Sequence, residues 1–116
     1  MHVSKVETTD DLILNSELAH VFADEGEVHL FKGRQGYRVR LLSKSGTWRM
    51  INWRNPDIAD DLAKRFNIRV WKDEGNSFRA KADGVRVSAV ADDQRLAIAL
   101  AALKVPTGRV PLGLAS

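Results

Sequence analysis

The chain has 116 residues, 44% hydrophobic and 28% charged, with a formal net charge of +3 and no cysteine. That length and composition fit one domain closing a single core and exclude an intrinsically disordered chain, a disulfide framework and thiolate chemistry. The mild net charge hides a polarised chain: residues 1–27 sum to −6, residues 28–56 carry seven bases and no acid, and residues 57–116 sum to +2. Charge of this kind informs about partners rather than about fold.

Thr9, Asp10 and Asp11 place acids where the positive end of a helix favours them, and Leu14, Leu18, Val21 and Phe22 follow at helical spacing until Gly26. Asn15-Ser16 interrupts the apolar pattern, and the helix could equally begin there. Three strands follow, Glu27–Lys32, Tyr37–Lys44 and Thr47–Trp53, joined by Gly33-Arg34-Gln35-Gly36 and by Ser45-Gly46. Setting Lys32 opposite Tyr37 pairs Leu30 with Val39 and Val28 with Leu41. A two-residue Ser45-Gly46 turn pairs Ser43 with Trp48 and Leu41 with Met50. Since paired residues share a face, one face collects Val28, Leu30, Tyr37, Val39, Leu41, Trp48 and Met50. The other collects His29, Phe31, Arg38, Arg40, Leu42, Arg49, Ile51 and Trp53.

Asn55-Pro56 opens a second helix as cap and first helical residue, with Ile58, Leu62 and Phe66 as its apolar stripe, Lys64 and Arg65 in its last turn and Asn67 as its exit. Ile68–Lys72, Phe78–Ala82 and Val85–Val90 read as three more strands, the last two joined by Asp83-Gly84. Asp92 is placed to cap a final helix, Asp93–Lys104, apolar on nearly every side. Such a helix suits burial between layers or pairing across a two-fold axis into a homodimer. Residues 106–116 have no periodicity and read as a loose tail. The order αβββαβββα predicts a single compact α+β domain over residues 1–105, a predominantly antiparallel six-stranded sheet with three helices.

From Trp53 onward the text resembles the phage ABA-sandwich domain family. The resemblance rests on Trp53-Arg54-Asn55-Pro56-Asp57-Ile58-Ala59, on Leu96-Ala97-Ile98-Ala99-Leu100-Ala101-Ala102-Leu103-Lys104 and on the three short strands between them. It covers residues 53–104 and implies a phage or prophage origin and a three-layer fold. It carries no activity over, and residues 1–52 have no counterpart in it.

Catalysis and cofactors are not expected. The carboxylates sit at helix starts (Asp10, Asp11, Asp57, Asp60, Asp61, Asp92, Asp93) or in turns (Asp73, Glu74, Asp83), where dipole and turn chemistry account for them. Glu17, His20 and Asp24 share a helix face, but one His beside two acids falls short of a zinc ligand set, so no metal is expected. The segment from Ile58 to Ile68 resembles the first helix of a helix-turn-helix, yet strand-like Arg69-Val-Trp-Lys stands where the second helix belongs. Met-His-Val-Ser-Lys-Val-Glu lacks the apolar stretch of a signal peptide and the longest apolar run, Leu96–Leu103, is too short to span a bilayer. The expected location is therefore cytoplasmic, the host cytoplasm for a phage-encoded protein.

The Arg/aromatic face is the best candidate site. If open, its cations neutralise phosphate and its rings stack on bases; if a helix covers it, Phe31, Leu42, Ile51 and Trp53 are core and the Arg stems pass to the edge. The leading reading is a small phage-type binding protein engaging nucleic acid, or a host complex that handles it, through Arg34, Arg38, Arg40, Lys44, Arg49 and Arg54, with Trp53 and Phe31 stacking. The alternative is an antagonist of a host enzyme or defence complex, an anti-CRISPR-like inhibitor, docking through the acidic residues Glu17, Asp24, Glu25 and Glu27 by charge mimicry. An enzyme of unrecognised type would need a deep pocket with a His or a carboxylate pair.

Overall fold

The computed structural model describes residues 9–34 and 36–106. The expected loose tail therefore lies, apart from Pro106, outside the described residues. Helix α1 (Thr9–Val21) runs into a 3₁₀ turn at Ala23–Glu25, then strands β1 (Gly26–Gly33), β2 (Gly36–Ser43) and β3 (Trp48–Met50). Helix α2 (Pro56–Phe66), strands β4 (Arg69–Lys72), β5 (Phe78–Lys81) and β6 (Ala89–Ala91) and helix α3 (Gln94–Leu103) complete the order.

The α+β class and the three helices agree with the sequence, but the single six-stranded sheet does not. There are two separate antiparallel meanders, β1-β2-β3 and β4-β5-β6. The chain leaves the first sheet early: the Trp53 backbone N–H donates to Asn15 Oδ1 at 2.8 Å and its indole N–H to Asp11 Oδ1 at 2.9 Å. Both acceptors lie on α1 and are buried. Held this way, residues 51–53 turn into the core beneath α1 instead of extending β3 as an edge on which a fourth strand could pair. The buried stripe of α1 is thus Asp11, Asn15 and Leu18, continued by Phe22 just past the helix end, and the polar residues that interrupt its apolar pattern are contacts.

Helix α2 follows its sequence signals. Asn55 Oδ1 accepts the Asp57 N–H at 2.9 Å, Pro56 takes the first turn, and Asn67 exits in the left-handed region at φ 54°. In α3 the cap is Asp93, one residue later than expected, accepting from the N–H groups of Arg95 and Leu96. The segment expected as a strand from Val85 to Val90 is extended only at Ala89–Ala91. Helix α3 packs on the second sheet and against α1 and α2, with Ala97, Ile98, Ala99, Ala101 and Ala102 buried. Burial inside the monomer accounts for its apolar character without a two-fold axis. No helix among the described residues is long and apolar enough to cross a membrane.

Candidate nucleic-acid interface

The β1–β2 hairpin has the expected register, Lys32 opposite Tyr37, Leu30 opposite Val39 and Val28 opposite Leu41. The β2–β3 register differs by one residue: Leu42 faces Trp48, Leu41 faces Arg49 and Arg40 faces Met50. The cause is the turn. Gly46 N–H donates to Ser43 O at 3.0 Å, Ser43 N–H donates to Thr47 O at 2.8 Å, and Gly46 sits at φ 90°. This is a three-residue Lys44-Ser45-Gly46 loop closed by a left-handed glycine, not a two-residue turn.

A one-residue slip sends every β3 side chain to the opposite face. Arg49 and Ile51 therefore join Val39 and Leu41 toward the core, while Trp48 and Met50 join His29, Phe31, Arg38, Arg40 and Leu42 on the outer face. Trp48 (43% exposed), Met50 (40%) and the half-exposed His29 show that this face is open among the described residues.

At its centre is Arg40, on the middle strand between His29 and Met50. Its Cζ lies 3.7 Å from the Trp48 ring centroid and 4.2 Å from that of Phe31, so the guanidinium is held between two rings. The His29 and Trp48 rings meet edge to face at 5.2 Å. Arg40 Nε is buried with no hydrogen-bond partner among the described residues, and no carboxylate there pairs with the side chain. A guanidinium oriented by aromatic planes, its Nε without a partner among the described residues, has the chemistry to donate to a planar or anionic acceptor such as phosphate, carboxylate or a nucleobase edge.

The other expected site residues divide. Arg34 and Lys44 are exposed at the two hairpin turns, and Arg38 is partly exposed on the outer face. Arg49 lies on the other side, bonded to Asp61 Oδ2 at 2.8 Å and 3.7 Å from Glu25 Oε1, with its Cζ 5.0 Å from the Phe22 ring. Trp53 is only 5% exposed and its indole N–H is bonded to Asp11, so no base can stack on it. Arg54 lies over Trp53 and pairs with Asp11 at 3.0 Å, and its carbonyl accepts Arg95 Nη1 at 2.6 Å. These three tie β3 and its exit to the body of the protein and are not part of an open face.

Of the acidic alternative, Glu17 is exposed on α1, while Asp24 pairs with Arg65 at 3.3 Å, Glu25 with Arg65 and Arg49, and Glu27 with His29 at 3.2 Å. Of the acids in residues 1–27, Asp11, Asp24 and Glu25 are thus answered by arginines of the chain. His20 Nδ1 bonds the Ser16 carbonyl at 2.7 Å, and among the described residues no group of His, Asp and Glu is placed to hold a metal.

Sequence reasoning missed Trp48 and Met50 as outer-face residues and Asp11 and Asn15 as the clamp on Trp53. The first pair was accessible from Gly46 as the third loop residue, a recurrent hairpin signature. No family model, curated protein or solved structure matches this chain.

Proposed function

We propose that this protein is a non-enzymatic module that binds single-stranded nucleic acid on the outer face of its first sheet. Arg40 held between Phe31 and Trp48 on an open three-stranded surface carries this reading. A sheet face with aromatic side chains offers stacking surfaces to unpaired bases, and the guanidinium between them supplies a charge-assisted contact to phosphate or to a base edge. Arg34 and Lys44, exposed at the turns, extend the cationic surface along the strand direction, with Arg38 beside Arg40. A single strand is the better fit, because stacking on the outer-face rings Phe31 and Trp48 requires unpaired bases. Two carboxylates have evident structural roles, Asp93 as the cap of α3 and Asp61 in its pair with Arg49.

Anisotropy titrations with labelled oligothymidylate and oligouridylate at rising salt test the reading. Binding is expected at low salt, with a logarithmic slope that falls by about 0.7 for each phosphate contact removed from a single strand. Trp48→Ala is expected to weaken binding by about 1–3 kcal/mol, the usual cost of losing one stacked base. No binding at low salt, or binding that Arg40→Ala and Trp48→Ala leave unchanged, sinks the proposal. The antagonist reading has less behind it, since Asp24, Glu25 and Glu27 already have partners within the chain.

A further inference from the structure

The first sheet has one long unpaired edge, and its hydrogen-bonding parity can be derived. Ser43 N–H bonds Thr47 O and Ile51 N–H bonds Val39 O, so the odd residues of β2 direct their backbone groups to β3. In an antiparallel strand, alternate residues bond alternate neighbours. Arg38, Arg40 and Leu42 therefore bond β1 through Phe31, His29 and Glu27. It follows that Val28, Leu30 and Lys32 point their N–H and C=O groups away from the sheet. Nothing among the described residues pairs with this edge. β1 has 8 residues against 3 for the opposite edge strand, β3, and its central Leu30 is 57% exposed. A long edge with unsatisfied backbone groups and an exposed leucine is a template for another strand.

The geometry points to a second copy of this chain as that strand, pairing β1 to β1 antiparallel about a two-fold axis at Leu30. Both copies present the same residues at the edge, as an isologous contact requires. In this register Leu30 meets Leu30, Val28 meets the second copy's Lys32, and each such pair exchanges both backbone bonds. The intervening pair, His29 with the second copy's Phe31, is of the closer, non-hydrogen-bonded kind and lies on the outer face. That joins the His29–Trp48 contact of one copy to the Phe31–Arg40 contact of the other, and the two outer faces become one six-stranded surface to which each copy contributes side chains. Moving the axis to His29 would instead set the two imidazoles against each other and Glu27 against Phe31. Lys32, a usual guard against edge pairing, is accommodated at Leu30 because its stem lies over Val28 while the ammonium reaches water.

The dimer does not depend on what the outer face binds. Sedimentation over a wide concentration range is expected to show mass rising from 12.9 kDa toward twice that value. Leu30→Pro removes an outward-facing N–H and no β1–β2 bond, so it should hold the protein at monomer mass with the hairpin intact. Leu30→Lys, at the same exposed position, should do so without a backbone change. In this cysteine-free chain, Leu30→Cys should oxidise to a disulfide-linked dimer, whereas Tyr37→Cys, equally exposed but on the inner strand, should not. Monomer mass at every concentration, together with failure of Leu30→Cys to cross-link, overturns the inference. Oligonucleotide binding measured on the same samples separates the two ideas: a monomer that binds keeps the proposed function and overturns the dimer, and a dimer that does not bind does the reverse.

Discussion

The two meanders use the same residue types at equivalent places and commit them differently. Arg40 and Arg79 each sit on the middle strand of their sheet, facing outward, with a tryptophan nearby on a neighbouring strand. Arg79 is answered by protein: its Nε donates to Asp73 Oδ2 at 2.7 Å and its Nη1 to Ser88 Oγ at 2.9 Å. Among the described residues, Arg40 is answered by the faces of Phe31 and Trp48 and by no carboxylate. The inner faces differ as well. The first sheet presents the large residues Val39, Leu41 and Ile51, while the second presents Ala80, Ala82 and Ala89 beneath the buried alanines of α3. Both outer faces are open, with Trp71 and Val90 as exposed as Trp48 and Met50. The second sheet's outward cation is neutralised, and among the described residues no carboxylate pairs with the first sheet's. Under the proposed function, an exposed Arg/Trp pair serves binding only where the local carboxylates are engaged elsewhere.

The largest expected effects break the two sheets by opposite substitutions. Leu41→Ala, in a site 1% exposed, should cost about 2–5 kcal/mol as a cavity opens under α1. Ala80→Leu, fully buried where α3 comes close to β5, should cost about 1–3 kcal/mol by overpacking. Urea midpoints measure both, and an Ala80→Leu variant as stable as wild type would show that the second sheet is not closely sealed. For binding, Trp71→Ala and Arg79→Ala should leave oligonucleotide affinity nearly unchanged beside Trp48→Ala and Arg40→Ala. Equal losses on both sheets would show that non-specific charge, not the Arg40 sandwich, binds the strand.

Asn15→Ala comes next. It strands the Trp53 backbone N–H in the core, at about 1–3 kcal/mol, and loosens the exit that separates the two sheets. Gly26 is a related point on the other side of the sheet: a Cβ there would lie 1.9 Å from Leu42 O, so Gly26→Ala must shift the start of β1. Its effect should appear in hairpin amide exchange before it appears in global stability.

Local signals carried much of this fold and the nonlocal ones carried little. Asn55-Pro56, Asn67 and the first hairpin register were readable because cap chemistry and alternation act over a few residues. The Arg40 face was half readable: β1 and β2 were assigned to the right sides, but counting the Ser45-Gly46 turn as two residues placed Arg49, Ile51 and Trp53 where Trp48 and Met50 belong. The division into two sheets was not readable. It follows from Asp11 and Asn15 capturing Trp53 some forty residues away, and polar residues in a helix give no local sign of a distant indole. Likewise, nothing local showed that Asp61 and Glu25 would take Arg49 while leaving Arg40 unpaired.

The smallest effect sharpens the contrast between Arg79 and Arg40. The Glu74 backbone N–H, and after it the Arg79 side chain, hold the Asp73 carboxyl below its ordinary value of 3.8. The unfolded chain, at the ordinary value, takes up the proton first, so this carboxylate adds stability above about pH 4 that is lost as pH falls through the depressed native value. Asp73→Asn should therefore differ from wild type most at neutral pH and converge with it in acid, as denaturation midpoints across the acid range will show. Arg79→Ala should move the Asp73 carboxyl titration, followed by NMR, part of the way back, because the Glu74 N–H remains. Arg40→Ala, on the other sheet, should leave the Asp73 titration where it is. An Asp73 titration that ignored Arg79→Ala would mean that Arg79 is no better neutralised than Arg40, and the distinction between the two sheets would fall.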